Sequence, residues 1–331
     1  MTPRILIAGG YGLVGGLIAR HIRAAGHGVE LILAGRHPAD GEALAGEVGA
    51  ATAFLDAADP EPGLAAVGPV DLVVAALQDP GDSLLSATLR AGAGHIGIVR
   101  TAETMASSAI AVCAAAPARP ALMLGHWQAG VLTLAAQAAA RAFARIDRIE
   151  LAALYDYADP IGPMTAGDSA GFVGRALIRR AGLWTSVDAP EAVRQVARRG
   201  QPDFDAMPMG VLDVPSLAAV TGARDVRFDL GTGESRGTQA GLAASHDLFI
   251  DITGELEGGG VTTRRTTVTD PRGQAHLTAL GVLVGVERIL GLDGGPPPPG
   301  GLAFPESFLD AWAALRRFET FGVRIETETT P

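Results

Sequence analysis

The sequence predicts an α/β chain in which a doubly wound parallel sheet is followed by a second, α+β domain built on a mostly antiparallel sheet. Three observations predict it. Short aliphatic runs alternate with helical patterns over residues 1–130, and a glycine-rich turn joins the first run to the first helix. Beyond residue 145 the runs are spaced by longer, turn-rich segments.

The first region offers strands at residues 5–8, 29–34, 53–55, 72–75, 96–99 and 122–124. Between the first two, Leu13, Leu17, Ile18 and Ile22 recur at helical spacing, and Gly26 supplies a stop. Residues 132–144 read as an Ala-rich helix leading out of this unit. Strands are then expected at 149–154, 226–230, 248–253 and 262–268, the last two forming a hairpin around Glu257-Gly258-Gly259-Gly260. An apolar helix at 277–290, a Gly/Pro loop at 294–301 and a helix at about 307–318 close the chain. The expected division is a dinucleotide-binding domain over 1–135, with 277–331 packing back on it, and a substrate or dimerisation domain over 145–276.

Composition narrows the function. The 331 residues suffice for two cores, and 48% hydrophobic against 19% charged residues excludes disorder. A net charge of −10 with no basic block speaks against nucleic acid as a partner. The lone Cys113 cannot form an internal disulfide and reads as a small buried side chain. All 26 basic residues are arginine. Without lysine there is no Schiff base, no Walker-type phosphate loop and no Tyr-x-x-x-Lys pair. Residues between Arg119 and Arg141 carry no formal charge, but Gly125, His126, Gln128 and Gly130 interrupt them, so a buried strand and helix are expected rather than a membrane span. Arg4 leads straight into the short run 5–8, with no secretory pattern, and a cytoplasmic protein is expected.

Gly10-Tyr11-Gly12-Leu13-Val14-Gly15 matches G-x-G-x-x-G between a strand and an amphipathic helix, the context of a Rossmann dinucleotide site. Gly10 is assigned to the tight turn, Gly12 to the approach of the diphosphate and Gly15 to helix–strand packing. The helix N-terminus supplies amides and a positive dipole end. The second strand should end on a ribose-binding acid. Glu30 stands at its wrong end, and the carboxyl end reads Ala34-Gly35-Arg36-His37, which favours the 2′-phosphate of NADP over NAD. Asp56 can contact the adenine or cap a turn. Ala76, Leu77 and Gln78 end the fourth strand where the cofactor passes, with Gln78 able to bond the ribose or nicotinamide side.

These residues resemble the saccharopine dehydrogenase-like family of NAD(P)-dependent oxidoreductases. The pieces are Gly9 to Gly15, Leu33-Ala34-Gly35-Arg36, Ala91-Gly92-Ala93-Gly94-His95, Gly125-His126-Trp127-Gln128-Ala129-Gly130, and Pro299-Gly300-Gly301 with Pro305-Glu306. The resemblance implies reduction of an imine, or oxidation of a secondary amine, with NAD(P)H.

Hydride transfer also needs a group that moves a proton. His126 follows the carboxyl end of the sixth strand, where ligands sit in open α/β sheets, and is the first candidate. His95, before the fifth strand, reads as structural. Tyr155 and Tyr157 would share one strand face, with Asp156 on the other and Asp159 nearby, and either tyrosine is a second candidate. His246 and Asp247 would point apart, as would Arg264 and Arg265, one of which can clamp a carboxylate. No zinc-like spacing is present. The expectation is an NADP-dependent oxidoreductase that transfers hydride to a C=N or C=O bond of a small substrate, working as a homodimer. An enoyl or keto reductase on a lipid-like substrate, and a non-catalytic NADP-binding sensor, are the alternatives.

Overall fold

Arg4–Ala8 forms the first strand, β1, with Ile5 to Ala8 wholly buried, so its apolar run is continuous rather than alternating. Strands β2 (Glu30–Gly35), β3 (Ala51–Phe54), β4 (Leu72–Ala75), β5 (Gly94–Gly97) and β6 (Pro120–Met123) follow it. They alternate with helices α1 (Leu13–Ala24), α2 (Glu42–Val48), α3 (Pro60–Val67), α4 (Ser83–Arg90) and α5 (Ala102–Ala115). The spatial order is β3-β2-β1-β4-β5-β6, all parallel. The order reverses between β1 and β4, which makes the carboxyl end of β1 a topological switch point. The computed structural model describes residues 2–98, 102–162 and 174–330. Val99, the last residue of the expected fifth strand, lies outside them.

After β6 the chain forms α6 (Val131–Ala140), β7 (Phe143–Tyr155), β8 (Arg175–Arg180), β9 (Leu183–Asp188), β10 (Arg194–Val196) and β11 (Phe204–Pro208). Then come α7 (Asp213–Thr221), β12 (Asp225–Thr232), α8 (Arg236–Gln239), β13 (His246–Leu256) and β14 (Val261–Asp270). The last elements are α9 (Gln274–Ile289), β15 (Gly301–Ala303), α10 (Pro305–Phe308), α11 (Ala311–Thr320) and β16 (Arg324–Thr330). The second sheet runs β10-β11-β12-β7-β13-β14-β16, and along this path only β12 and β7 pair in parallel. Gly259 and Gly260, both at positive φ, turn the β13–β14 hairpin.

The chain divides into two compact units, residues 1–125 with 278–309, and residues 126–277 with 310–331. In the first, α9 packs on the parallel sheet, where a Cβ at Gly285 would meet Leu122, and β15 adds a strand beside β6. The expectation that all of 277–331 joins the first domain is corrected at its end. β16 alternates charged residues with Ile325, Thr327 and Thr329 and pairs with β14, which places 310–331 in the second unit.

Three further expectations change. The helix expected over 132–144 stops at Ala140, because Phe143 already begins the long strand β7. The final helix breaks at Leu309 into α10 and α11, and the Asp310 side chain accepts the Ala313 N–H at 2.7 Å to start the second piece. Cys113 sits on the exposed side of α5, not in the interior. The uncharged stretch after Arg119 is a four-residue strand, a short turn and a ten-residue helix. No helix among the described residues is long and apolar enough to cross a membrane.

Candidate functional site

Among the described residues the expected site residues gather in two constellations, one in each unit. In the first, the fingerprint turn leaves β1 at the switch point. Gly9, not Gly10, adopts the positive φ of the turn (+77°), and its N–H bonds Ala34 O at 2.8 Å. A Cβ at Gly15 would run into Gly9 O, so only glycine lets α1 close on β1. α1 starts with no capping side chain and no acid in its first turn. Gly16 N–H is the first amide to find a carbonyl within the helix start, Gly12 O at 2.8 Å. Gly12 N–H is taken by Gly9 O at 3.0 Å, and the Leu13, Val14 and Gly15 amides have no acceptor inside the helix, at the positive end of its dipole. Gly12 is exposed, Val14 is half-buried, and Leu13 presents an apolar side chain beside them. A diphosphate fits this cradle, because donors are present and neither a Cβ nor a carboxylate competes for them.

Around the turn, the Tyr11 ring lies against Gly35 and Gly41, and its hydroxyl accepts the His37 N–H at 3.0 Å. Gly35 therefore serves the ring. Arg36 follows it, exposed, with no hydrogen-bond or ion-pair partner among the described residues. Glu30 is engaged at the far end of β2 by Arg4 Nε at 3.0 Å. Asp56 Oδ1 accepts the Ala58 N–H at 3.0 Å, which is the turn-capping role. Ala76 N–H bonds Ala8 O at 2.9 Å, and its carbonyl leaves no room for a Cβ at Gly9. Leu77 is half-buried and Gln78 exposed. His95 is the second residue of β5 and fully buried, inside the strand rather than before it.

The second unit opens on a strained turn. Gln128 and Ala129 both take left-handed conformations (φ 52° and 51°), followed by Gly130 at 90°. Such backbone costs about 1–2 kcal/mol for each non-glycine residue and persists only where the surroundings hold it. Asp213, wholly buried at the start of α7, accepts the Trp127 N–H at 2.7 Å and the Thr133 hydroxyl at 2.6 Å. His246 Nε2 faces Trp127 Nε1 at 3.3 Å and Gln128 Nε2 at 3.0 Å. The Trp127 ring also packs on Phe228, centroids 4.8 Å apart. His126, buried, has Nε2 at 2.9 Å from Ser216 Oγ. Burial alone pushes the His246 imidazole down to about 3.

The tyrosine candidates lie at the same sheet end. Leu248 stands opposite Ala153, so alternation puts His246 on the face of β13 that Tyr155 takes on β7. Tyr155 is the last strand residue, half-buried, its hydroxyl pushed up by burial and then by Asp159, Tyr157 and Asp156. The expected strand position of Tyr157 is corrected. The strand ends at Tyr155 because Asp156 Oδ1 takes the Ala158 N–H at 2.9 Å, and Tyr157 sits 77% exposed, still meeting the Tyr155 ring edge-on at 5.2 Å. Burial pushes Asp156 up, but the Ser235 and Ala158 amides and the Thr238 hydroxyl outweigh it and bring it to about 2. Asp159 is raised to about 6, by burial first and by Asp270 and Asp156 against the Gln274 amide. Asp247 is occupied by Arg236 N–H and the Ser245 hydroxyl, so it forms no dyad with His246. Arg265 is held by both oxygens of Asp251 across the strand pair and is not available as a clamp. No three His, Cys, Asp or Glu side chains among the described residues are placed to hold a metal.

Sequence reasoning missed Asp213, Ser216 and the reach of His246 to the turn. Asp213 left a signal, an acid inside the apolar run 211–217.

No protein-family model and no curated protein sequence matches the chain. Solved structures do. The apo saccharopine dehydrogenase (L-Glu forming) of Saccharomyces cerevisiae superposes with a TM-score of 0.74 over 99% of this chain and 100% of its own, at 12% identity. The chain has the saccharopine dehydrogenase fold. An oxidoreductase from Agrobacterium radiobacter, solved with NAD+, L-tartaric acid and magnesium, gives 0.50 at 12% identity over 99% and 98%. The scyllo-inositol dehydrogenase of Lactobacillus casei, solved with NAD(H) and scyllo-inositol, gives 0.50 at 13% over 98% and 99%.

Proposed function

We propose that the chain is an NADP-preferring oxidoreductase that moves a hydride to the carbon of a C=N or C=O bond in a small substrate. The observation that carries this reading is the uncapped, acid-free start of α1 at the β1/β4 switch point, an anion cradle with the shape a dinucleotide diphosphate needs. The shared fold supports it, since NAD+ or NAD(H) is bound in two of the similar oxidoreductases. Arg36 supports the 2′-phosphate, because a guanidinium with no internal partner is free for it.

The nicotinamide coenzyme, when bound, supplies the hydride. This chain's residues do the rest: the Leu13, Val14 and Gly15 amides grip the diphosphate and Arg36 selects the coenzyme. His126 gives the substrate nitrogen or oxygen the proton that balances the hydride on carbon. Ser216 sets its ring through Nε2. Tyr155 is the second proton donor in this reading.

The homodimer reading is supported by the β8–β9 hairpin, where Leu183 and Trp184 are exposed and the outer edge of β9 is unpaired among the described residues. Light scattering that returns one protomer at micromolar concentration rejects it.

The enzymatic reading is tested by following NADPH absorbance with a panel of imines, ketones and enones. Oxidation of NADPH by an imine or ketone is expected. Tight NADPH binding with no turnover across the panel replaces the enzyme by a sensor.

A further inference from the structure

His246 enters no step of the proposed reaction, yet the strained turn leans on it through the Trp127 and Gln128 side chains, as it leans on Asp213 through the Trp127 N–H. Its Nε2 faces two nitrogen atoms, Trp127 Nε1 at 3.3 Å and Gln128 Nε2 at 3.0 Å. An indole nitrogen can only donate, so Nε2 must accept. That choice also orients the Gln128 amide, which presents its NH₂ to the same lone-pair side. The proton of the neutral ring is then on Nδ1, which is buried with no partner among the described residues. The ring is thus gripped from its Nε2 side.

The residues gripped are the ones that need it. Trp127 precedes and Gln128 begins the left-handed run, and Ala129 behind them is buried and equally left-handed. His126 is joined to Trp127 directly, so the direction in which its imidazole leaves the backbone depends on this turn. We propose that His246, as the neutral Nδ1-protonated imidazole, is a positioning residue that holds the Trp127–Gln128 turn and through it aims His126. An imidazolium at this place would turn Nε2 into a third donor against two others and release the turn. Burial opposes that charge, which makes the clamp permanent rather than switchable.

The inference rests on the reading of His126 as proton donor, but its test separates the two. Nitrogen-15 NMR of the wild-type protein is expected to show His246 protonated on Nδ1 with an accepting Nε2, and a slowly exchanging Trp127 indole N–H. In His246→Leu that indole proton should exchange freely, and in His246→Gln, whose side-chain oxygen reaches the place of Nε2, it should be protected again. Turnover should fall roughly 10- to 100-fold in His246→Leu and largely return in His246→Gln, with NADPH affinity unchanged in both. A proton on Nε2 of the wild-type ring overturns the proposal even if the leucine variant does not fold. So does a leucine variant with wild-type turnover. A wild-type protein that shows the expected tautomer and protected indole but reduces no substrate sinks the enzymatic reading and leaves the clamp standing.

Discussion

The phenol of Tyr11 lies over Gly35, and its hydroxyl takes the backbone N–H of His37 at 3.0 Å. The middle residue of the fingerprint turn is thereby tied to the end of β2, on either side of the exposed Arg36. A methyl group at Gly35 would collide with the ring. Gly35→Ala is expected to cost about 1–3 kcal/mol of stability, as overpacking does, and to weaken NADPH binding by disordering both sides of the cradle. Thermal unfolding and a coenzyme titration of the variant check it, and an unchanged midpoint contradicts it.

Arg36 should read the 2′-phosphate alone. A charge-assisted contact of about 1.5–3 kcal/mol translates into roughly 10- to 100-fold. Arg36→Ala is expected to lose that much NADPH affinity while NADH affinity stays where it was. Calorimetry with both coenzymes decides, and a parallel loss for the two removes Arg36 from selectivity.

His126→Ala should leave NADPH affinity intact and slow turnover by about 10²- to 10⁴-fold. Turnover at the wild-type rate would transfer the proton-donor role to Tyr155, whose replacement by phenylalanine is then the informative one.

The two aspartates after β7 should give opposite pH signatures. Asp159 has its folded value raised to about 6, above the ordinary carboxylate range, so the stability it contributes is complete below about pH 4 and is lost as pH rises through 6. Asp159→Asn should therefore gain on the wild type between pH 4 and 7. Asp156, held at about 2, contributes above about pH 4 and loses that contribution as pH falls toward 2. Asp156→Asn should cost most at neutral pH and little near pH 2. Unfolding midpoints across this range test both, and the same slope in the two variants would contradict the assignment.

How much of this was legible in the sequence follows from how local each signal is. β1 and β4 are unbroken aliphatic runs because both faces are buried, and the fingerprint turn is contiguous, so the parallel sheet and the place of the glycine turn could be read directly, while the strand order could not. β8 to β11 went unread. Arg175–Arg180 alternates exposed and buried residues, but its arginines and the flanking Gly174 and Gly182 make it look like loop. The sequence offers Gly10 for the tight turn, and the positive φ falls on Gly9 beside it, since consecutive glycines do not say which one takes it. The grip on the His126 turn was out of reach, because Trp127 and His246 are 119 positions apart and nothing in either neighbourhood names the other. Asp251 captured Arg265 through strand register, which no composition argument supplies.

The proposed coenzyme site depends on the amides that open α1. Nitrogen-15 chemical shifts of Leu13, Val14 and Gly15 during an NADPH titration report on them directly. Saturable shifts at all three, reproduced in part by inorganic pyrophosphate, are the result expected. Amides that stay in place while NADPH binds elsewhere, or does not bind, would contradict it.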